Sequence, residues 1–546
     1  MTVQTMPNLS PAAAAPNAIN CATCPPGVMW TTTNAGEALP GVVTPLTWSF
    51  FGDRTERAMR LMFYDLGVLK LTETNPSPLP QDRLWDLFYG RAAGNMNTFR
   101  TIADRTPGTS GSAVEEQIFG SSRPDVADRP TRGRYGVVAV KLPWSATRLP
   151  SRLESIAGDT GEWWQRTVAA DLSTPAAAQA ALREAAGRFG RVMRPHTLAA
   201  MLCQGLYEQV RALAERAGHP GLEIHLITGY GDMAETEVVS DLWSVSRDRL
   251  TIEEFVRRHG FHGPNEGELS ARSWRISQDP LLHLIDNYRG MPDDRDPRLV
   301  EAGRGDERRA AEAKLLADVP ASRRAAARLV LRIAARVVPL RGIGKAAFLR
   351  CSDVARLAAR ARGEQLVAEG VLTDAEDVFM LTVEELVEPT PAPDLGAVAA
   401  ARRAIHDEYR TLDVPEAWDG APVPVACADR GAAASDAAVS GLPVSPGIVE
   451  GIARLILDPE SDDYLEPGEI LVCRTTDPSW ASTLMVAAAL VIDIGGAISH
   501  GAIVARELGV PCVIGTRNGT AAIRTGDRLR VDGSTGSVEV LERAKT

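Results

Sequence analysis

Apolar residues recur every three or four positions from Glu162 to Ala217, and again from Arg323 to Glu369, set among Arg and Glu; both stretches predict amphipathic helices. A shorter helical pattern runs from about Glu56 to Leu69, after a stretch rich in Gly, Pro and Thr that begins near Trp30. The helical text breaks at the charged segment Met291–Arg309, at Pro339–Gly344 and at the Pro- and acid-rich Glu388–Gly396. From Val423 to Pro443 the residues are small and polar and follow no period, which reads as a linker. Beyond it the grammar changes. Ile448–Leu457, Glu469–Arg474, Ala489–Ile494, Val510–Gly515, Arg528–Asp532 and Ser537–Leu541 are short β-like runs, with helical stretches at about Trp480–Ala488 and Ala502–Leu508.

The pattern therefore predicts a multidomain α+β chain: a disordered lead-in at 1–27, a large helix-rich domain at 28–425, a flexible linker at 426–441 and a small α/β domain at 442–546. Length agrees, since 546 residues exceed what one core of roughly 250–300 residues can bury. A composition of 45% apolar and 24% charged residues is that of a folded protein. The net charge of −11 argues against nucleic acid or an anionic membrane as the main partner. Seven scattered cysteines, an odd number, read as reduced thiols. No apolar run reaches about 18 residues, and the lead-in lacks the basic start and apolar core of a secretory signal, so a cytoplasmic protein is expected.

The densest chemistry lies in GGAISHGAIVARELGVPCVIG, residues 495–515. A β-like run ends at Gly495-Gly496, a short turn presents Ser499-His500, and a helix follows at once. The glycines let backbone approach a ligand, and the helix start offers free N–H groups and the positive end of a dipole. That arrangement suits a phosphoryl group carried on His500, because neutral imidazole is a competent nucleophile at neutral pH. Ser499 and Arg506 are candidate phosphate contacts. Elsewhere, Cys21-x-x-Cys24 lacks a second ligand pair at zinc spacing, and no metal site is expected. Gly342-Ile-Gly344-Lys345-Ala346 lacks the first glycine and the final hydroxyl of a phosphate loop.

These residues resemble the phosphohistidine domain of the dikinase-type phosphoenolpyruvate-utilising family, whose signature is roughly G-G-x-T-x-H-x-A-[IV]-[IV]-A-R followed by E-x-G-[IV]-P. Gly495, Gly496, His500, Ala502, Ile503, Val504, Ala505, Arg506, Glu507, Gly509, Val510 and Pro511 match it, and Thr475–Trp480 (TTDPSW) fits the family's T-x-P-x-W element. Ile498 departs from the usual Thr, and Ser499 is the nearby hydroxyl. Upstream, NAGEALPGVVTPL (Asn34–Leu46), ETEVVSDLW (Glu235–Trp243), HGFHGPNEGELSARSWR (His259–Arg275), the Pro339–Gly363 block and EDVFMLTVEEL (Glu376–Leu386) resemble the substrate region of rifampicin phosphotransferase-like members.

The resemblance implies a swivelling phosphohistidine domain that serves a helical substrate domain. Neither the family's ATP-grasp domain nor its phosphoenolpyruvate/pyruvate barrel is read in the sequence. A split system is therefore expected, in which a separate ATP-grasp subunit uses ATP and Mg²⁺ to load His500 and releases AMP and phosphate. Phenylphosphate synthase, a family member divided among subunits, suggests a phenolic hydroxyl as acceptor; inactivation of a rifampicin-like antibiotic is the alternative. Such a hydroxyl, with a pKa near ~10, benefits from a positioned base. His259, His262 and Glu266 are the candidates, in what the Gly-Pro punctuation predicts to be a shaped loop. Arg341 and Lys345 are candidates to neutralise the moving charge. The competing class is a non-catalytic phosphocarrier or regulatory protein, which has no need of the long middle domain.

Overall fold

A computed structural model describes residues 24–119, 122–230, 234–388, 394–427, 438–458, 461, 463–476, 480–496 and 499–544. The N-terminal part opens with a small antiparallel sheet. Strands β1 (Met29–Thr31), β2 (Trp85–Phe88), β3 (Arg91–Asn95) and β5 (Ala417–Asp419) lie in the order β2-β3-β1-β5, while β4 (Leu412–Asp413) pairs separately with β6 (Val425–Ala426). The first and last segments of the helix-rich domain thus close on each other. Cys24 to Gly27, expected in the lead-in, belong to the fold. Cys24 is buried and its Sγ accepts from Trp30 Nε1 at 3.1 Å; residues 1–23 lie outside the described residues.

Three long helices, Tyr135–Val168, Pro175–Arg216 and Leu340–Ala368, form the body of the domain. Alanines of the third helix (Ala346, Ala347, Ala355, Ala358, Ala359) let it approach the others closely, and Phe50, Trp164, Phe189, Phe261 and Phe379 fill the core around it. Burying each such aromatic contributes about 1.5–3 kcal/mol. The expected break at Pro339–Gly344 narrows to Val338-Pro339, and the RGIG segment is helical.

Two helices are longer than their local text predicts. Pro45–Asp65 starts eleven residues before the expected Glu56, because Thr44 caps it by accepting from Thr47 N at 3.3 Å and Pro45 stands in its first turn. Met291–Arg309, read as a break, contains the start of helix Pro297–Asp318, which Asp296 caps. Charge along that helix is solvated surface, and Ala311 and Leu315 supply its buried stripe.

The C-terminal domain is an eight-stranded sheet of order β7-β14-β13-β9-β10-β11-β12-β8. Its strands are β7 (Val439–Ser440), β8 (Leu442–Ser445), β9 (Ile448–Ile456), β10 (Ile470–Cys473), β11 (Ala489–Ile492), β12 (Cys512–Ile514), β13 (Arg528–Asp532) and β14 (Ser537–Glu542). Strands β9 to β12 run parallel, and β10 and β11 are buried at every position, as expected of strands covered on both faces. The linker expected at 426–441 is shorter than that: Ala426 and Val439–Ser440 are in strands, and residues 428–437 lie outside the described residues.

The small domain docks on the helical one. Val486 joins the core formed by Val238, Leu242, Trp274 and Leu284, Asn287 Nδ2 donates to the Leu465 carbonyl at 3.0 Å, and His283 stacks on Tyr464 at 4.4 Å. The short helix Ala481–Leu484, which follows the TTDPSW element, packs on helix Ala234–Ser246.

Candidate phosphotransfer site

The candidate residues lie in both domains. In the small domain β11 ends at Ile492 and the buried Asp493 carboxylate gathers the loops around it, accepting from Thr516 Oγ1 and Gly519 N at 2.6 Å each and from Thr520 N at 3.0 Å. Gly495 has φ 149°, and a Cβ there would lie 2.4 Å from Ile514 Cδ1 and 3.0 Å from Ser499 Oγ, so only glycine fits. Ser499 is the N-cap of helix His500–Leu508, its Oγ accepting from Ala502 N at 3.4 Å; Gly509 closes the helix with φ 66°. His500 is therefore the first helical residue, with free backbone N–H groups beside it. Ala497, Ile498 and the side chain of His500 lie outside the described residues. Gly501 packs against Thr476, and the buried hydroxyl of Thr475 makes no hydrogen bond with a described residue. Arg506, expected at the phosphate, donates from Nε to the Val444 carbonyl at 2.7 Å, and burial lowers its guanidinium. Its position nearly two turns along the helix explains why it serves β8 instead.

In the large domain His259 closes helix Ile252–His259 and is not part of the loop proper. Its Nε2 lies 2.9 Å from Asp241 Oδ2 on helix Ala234–Ser246, and burial pushes the ring down to about 4 despite that carboxylate. The segment that follows is tied to helix Leu340–Ala368 by buried charges. Arg356 donates to the carbonyls of Glu266 at 2.6 Å and Glu268 at 3.0 Å, and Arg360 to that of Ser270 at 2.5 Å. Asp353, fully buried, accepts from Trp164 Nε1, Ser273 Oγ and Arg275 Nε. On the other side Glu268 accepts from Thr44 Oγ1 at 2.7 Å and Thr47 Oγ1 at 2.6 Å.

Within that frame His262 Nδ1 is hydrogen-bonded to Glu266 Oε1, and Lys345 Nζ stands 3.6 Å from Glu266 Oε2. Glu266 is buried. Burial alone would raise its carboxyl, but Lys345, His262 and Arg356 outweigh it and bring it down to about 2. An ionised Glu266 on Nδ1 favours the tautomer whose Nε2 is the acceptor, the orientation a general base needs. His262 Nε2 makes no hydrogen bond with a described residue, and Phe261 and Trp274 flank the ring with centroids at 4.1 and 5.9 Å.

The structure thus brings His262, Glu266 and Lys345 together and gives them different parts, while His259 turns to Asp241. Arg341, one turn before Lys345, is exposed. Sequence reasoning missed Asp241, Glu237, Asp353, Arg356 and Thr475. Glu237 and Asp241 stand in the ETEVVSDLW segment at helical i,i+4 spacing, a signal that was legible. Where the domains meet, Gly263, Pro264, Trp274 and His283 face Tyr464, Trp480 and Thr483 across a cavity of about 70 Å³. That is smaller than the roughly 150 Å³ of a cavity that takes a benzene ring.

A parallel-stranded small domain with a histidine as the first residue of a glycine-preceded helix is docked on a helical domain that holds a buried cluster of acidic and basic residues. In comparison with known proteins, residues 465–536 match the family described as PEP-utilising enzyme, mobile domain, and residues 248–342 match the rifampicin phosphotransferase fourth domain. Two segments of the chain are thus similar to domains of PEP-utilising phosphotransferases. Among its relatives, a rifampicin phosphotransferase of Streptomyces sviceus is 31% identical over 329 residues, covering 59% of this chain and 38% of that protein. One of Bacillus subtilis is 30% identical over 302 residues, covering 54% and 35%. An uncharacterised protein of Mycobacterium tuberculosis is 32% identical over 361 residues, covering 66% and 38%. The chain spans less than two-fifths of the length of these relatives.

Proposed function

We propose that the chain relays a phosphoryl group through His500 to a hydroxyl of a small organic acceptor held by the helical domain, most simply a phenolic one. The observation that carries this reading is the buried His262–Glu266–Lys345 cluster, whose His262 ring lies 5.9 Å from Trp274, a member of the core that Val486 of the small domain joins. The acceptor O–H gives its proton to His262 Nε2 as its oxygen attacks phosphorus. The O–P bond forms, the N–P bond to His500 breaks, and that electron pair returns to the imidazole. Glu266 holds the His262 ring and stabilises the imidazolium that forms, and Lys345 adds positive charge near the transferring group. The aromatic faces of Phe261 and Trp274 suit a flat acceptor. In this reading the small domain withdraws to admit the acceptor and returns loaded.

Loading of His500 is assigned to an ATP-grasp partner, where ATP with Mg²⁺ supplies the phosphoryl group and leaves as AMP and phosphate. The names of the relatives favour a second acceptor, a rifampicin-type antibiotic hydroxyl. One experiment separates these readings without the partner. The chain is phosphorylated on His500 with phosphoramidate, a chemical donor to imidazole, freed of reagent, and offered a panel of phenols and rifampicin. Loss of the label with formation of an aryl phosphate supports the phenolic reading, and phosphorylated rifampicin the antibiotic one. A label that persists with every acceptor supports the phosphocarrier reading.

A further inference from the structure

We propose that Glu237, Asp241 and His259 form a binding site for a divalent transition-metal ion, of the Mn²⁺ or Zn²⁺ class, at the edge of the acceptor site. One ligand atom from each of the three lies within 4.8 Å of the other two. Ligands around an ion with bonds of ~2.1 Å stand about 3–4 Å apart, so a modest rotation of one side chain closes the set. Glu237 can supply it: the side chain is exposed and forms no hydrogen bond or salt bridge with a described residue. His259 and Asp241 already have that spacing, at 2.9 Å from Nε2 to Oδ2, and the buried imidazole is fixed at the end of its helix.

The surrounding groups permit it. Arg258 now donates to Asp241 at 3.2 Å, but it is half exposed and also holds Glu254, so it can yield Asp241 and keep a partner. Arg350, the other nearby cation, lies over the Trp164 and Phe261 rings at 5.4 and 5.2 Å and interacts electrostatically with Glu237, to which it makes no hydrogen bond. Two carboxylates with one imidazole favour Mn²⁺ or Zn²⁺ over Mg²⁺, which prefers oxygen ligands and its own waters. Three protein ligands leave positions open for water or a phosphoryl oxygen. Location gives the site its meaning. The His259 and His262 ring centroids are 6.5 Å apart, and the helix that carries Glu237 and Asp241 is the one against which Ala481–Leu484 of the small domain packs. The part this ion plays in transfer rests on the function proposed above, whereas its binding does not.

The test uses the full chain, stripped of metal with a chelator and titrated with Mn²⁺ followed by electron paramagnetic resonance, and with Zn²⁺ followed by calorimetry. One equivalent of at least one ion is expected to bind, and Glu237→Gln and Asp241→Asn are each expected to weaken it at least tenfold. Both positions reach the surface, and circular dichroism checks that the variants fold. Asp306→Asn, on an exposed helix face elsewhere, is expected to change nothing. Failure of both ions to bind, or affinity unchanged in the Glu237→Gln/Asp241→Asn double variant, overturns the site. If the ion binds and the His500 label still reaches no acceptor, the metal site stands and the transfer reading falls.

Discussion

The small domain keeps its chemistry in one place, and the large domain does not. Between Gly495 and Gly515 a single continuous segment supplies the glycines, the cap and the histidine proposed as carrier, with Asp493 drawing the next loop in beside it. The acceptor side is assembled from four distant segments, at Thr44–Thr47, Glu237–Asp241, His259–Arg275 and Lys345–Arg360, and buried charges hold them in register. A helix terminus is a local device and works wherever it is placed. A base in the interior needs a partner to orient it and a cation to balance it, and those come from other helices.

The largest effect expected is at the contiguous half. His500→Ala is expected to abolish both labelling by phosphoramidate and transfer to any acceptor, a loss of at least about 10⁴-fold, because no other group can take over a covalent relay. Labelling read by mass spectrometry checks it. An unchanged rate would remove the distinction between carrier and acceptor sides altogether.

The next effect probes the dispersed half. Lys345→Met leaves the Glu266 carboxylate buried without its ammonium, and breaking such a pair costs about 3–5 kcal/mol. Denaturant unfolding should show it, and loading of His500 should be unaffected in the fraction that remains folded. The sign with pH follows from Glu266. Its folded value of about 2 lies below the ordinary carboxylate value, so its contribution to stability is complete above about pH 4.5 and is lost as pH falls toward 2. Without Lys345 the carboxyl rises and that acid loss should vanish or reverse.

His262→Asn separates chemistry from architecture. It removes a base and keeps a polar side chain, and is expected to slow transfer from labelled His500 by about 10²–10⁴-fold while leaving labelling itself intact. Equal slowing of both steps would sink the assignment of His262 to the acceptor.

The same contrast explains what could be read in advance. Six of the eight strands of the small domain and the helix after His500 were legible, since strands buried on both faces are plain apolar runs and the Gly-Gly-to-His turn is local; β7 and β8 were not, because they lie in or beside text that reads as linker. In the large domain the long Ala/Arg/Leu helices were legible too. The early start of helix Pro45–Asp65 was not, because its Thr-Pro cap sits in text whose composition resembles a loop. Nor was the division of labour among His259, His262 and Glu266. Four residues separate His262 from Glu266, but the cation that holds Glu266 ionised, Lys345, lies some eighty positions away on another helix. Arg506, a candidate phosphate contact from its motif position, has a bond that the motif did not announce, from Nε to the Val444 carbonyl.

The smallest effect is the sharpest test of the local half, and it concerns Ser499. Its oxygen already accepts from Ala502 N, yet a hydroxyl that accepts still has a proton to give. Ser499→Thr keeps cap and donor and should be close to the parent in stability and labelling. Ser499→Ala loses both, costing about 1 kcal/mol of stability from the cap together with some labelling rate. Ser499→Asp keeps the cap through its carboxylate but replaces the donor with negative charge beside the incoming phosphoryl group. It should fold as well as the parent and label more slowly than Ser499→Ala. If Ser499→Asp instead labels as fast as the parent, Ser499 is a helix cap alone, and the phosphoryl oxygens rest on backbone N–H groups and on a hydroxyl elsewhere, for which Thr475, its hydroxyl buried and unbonded among the described residues, is a candidate.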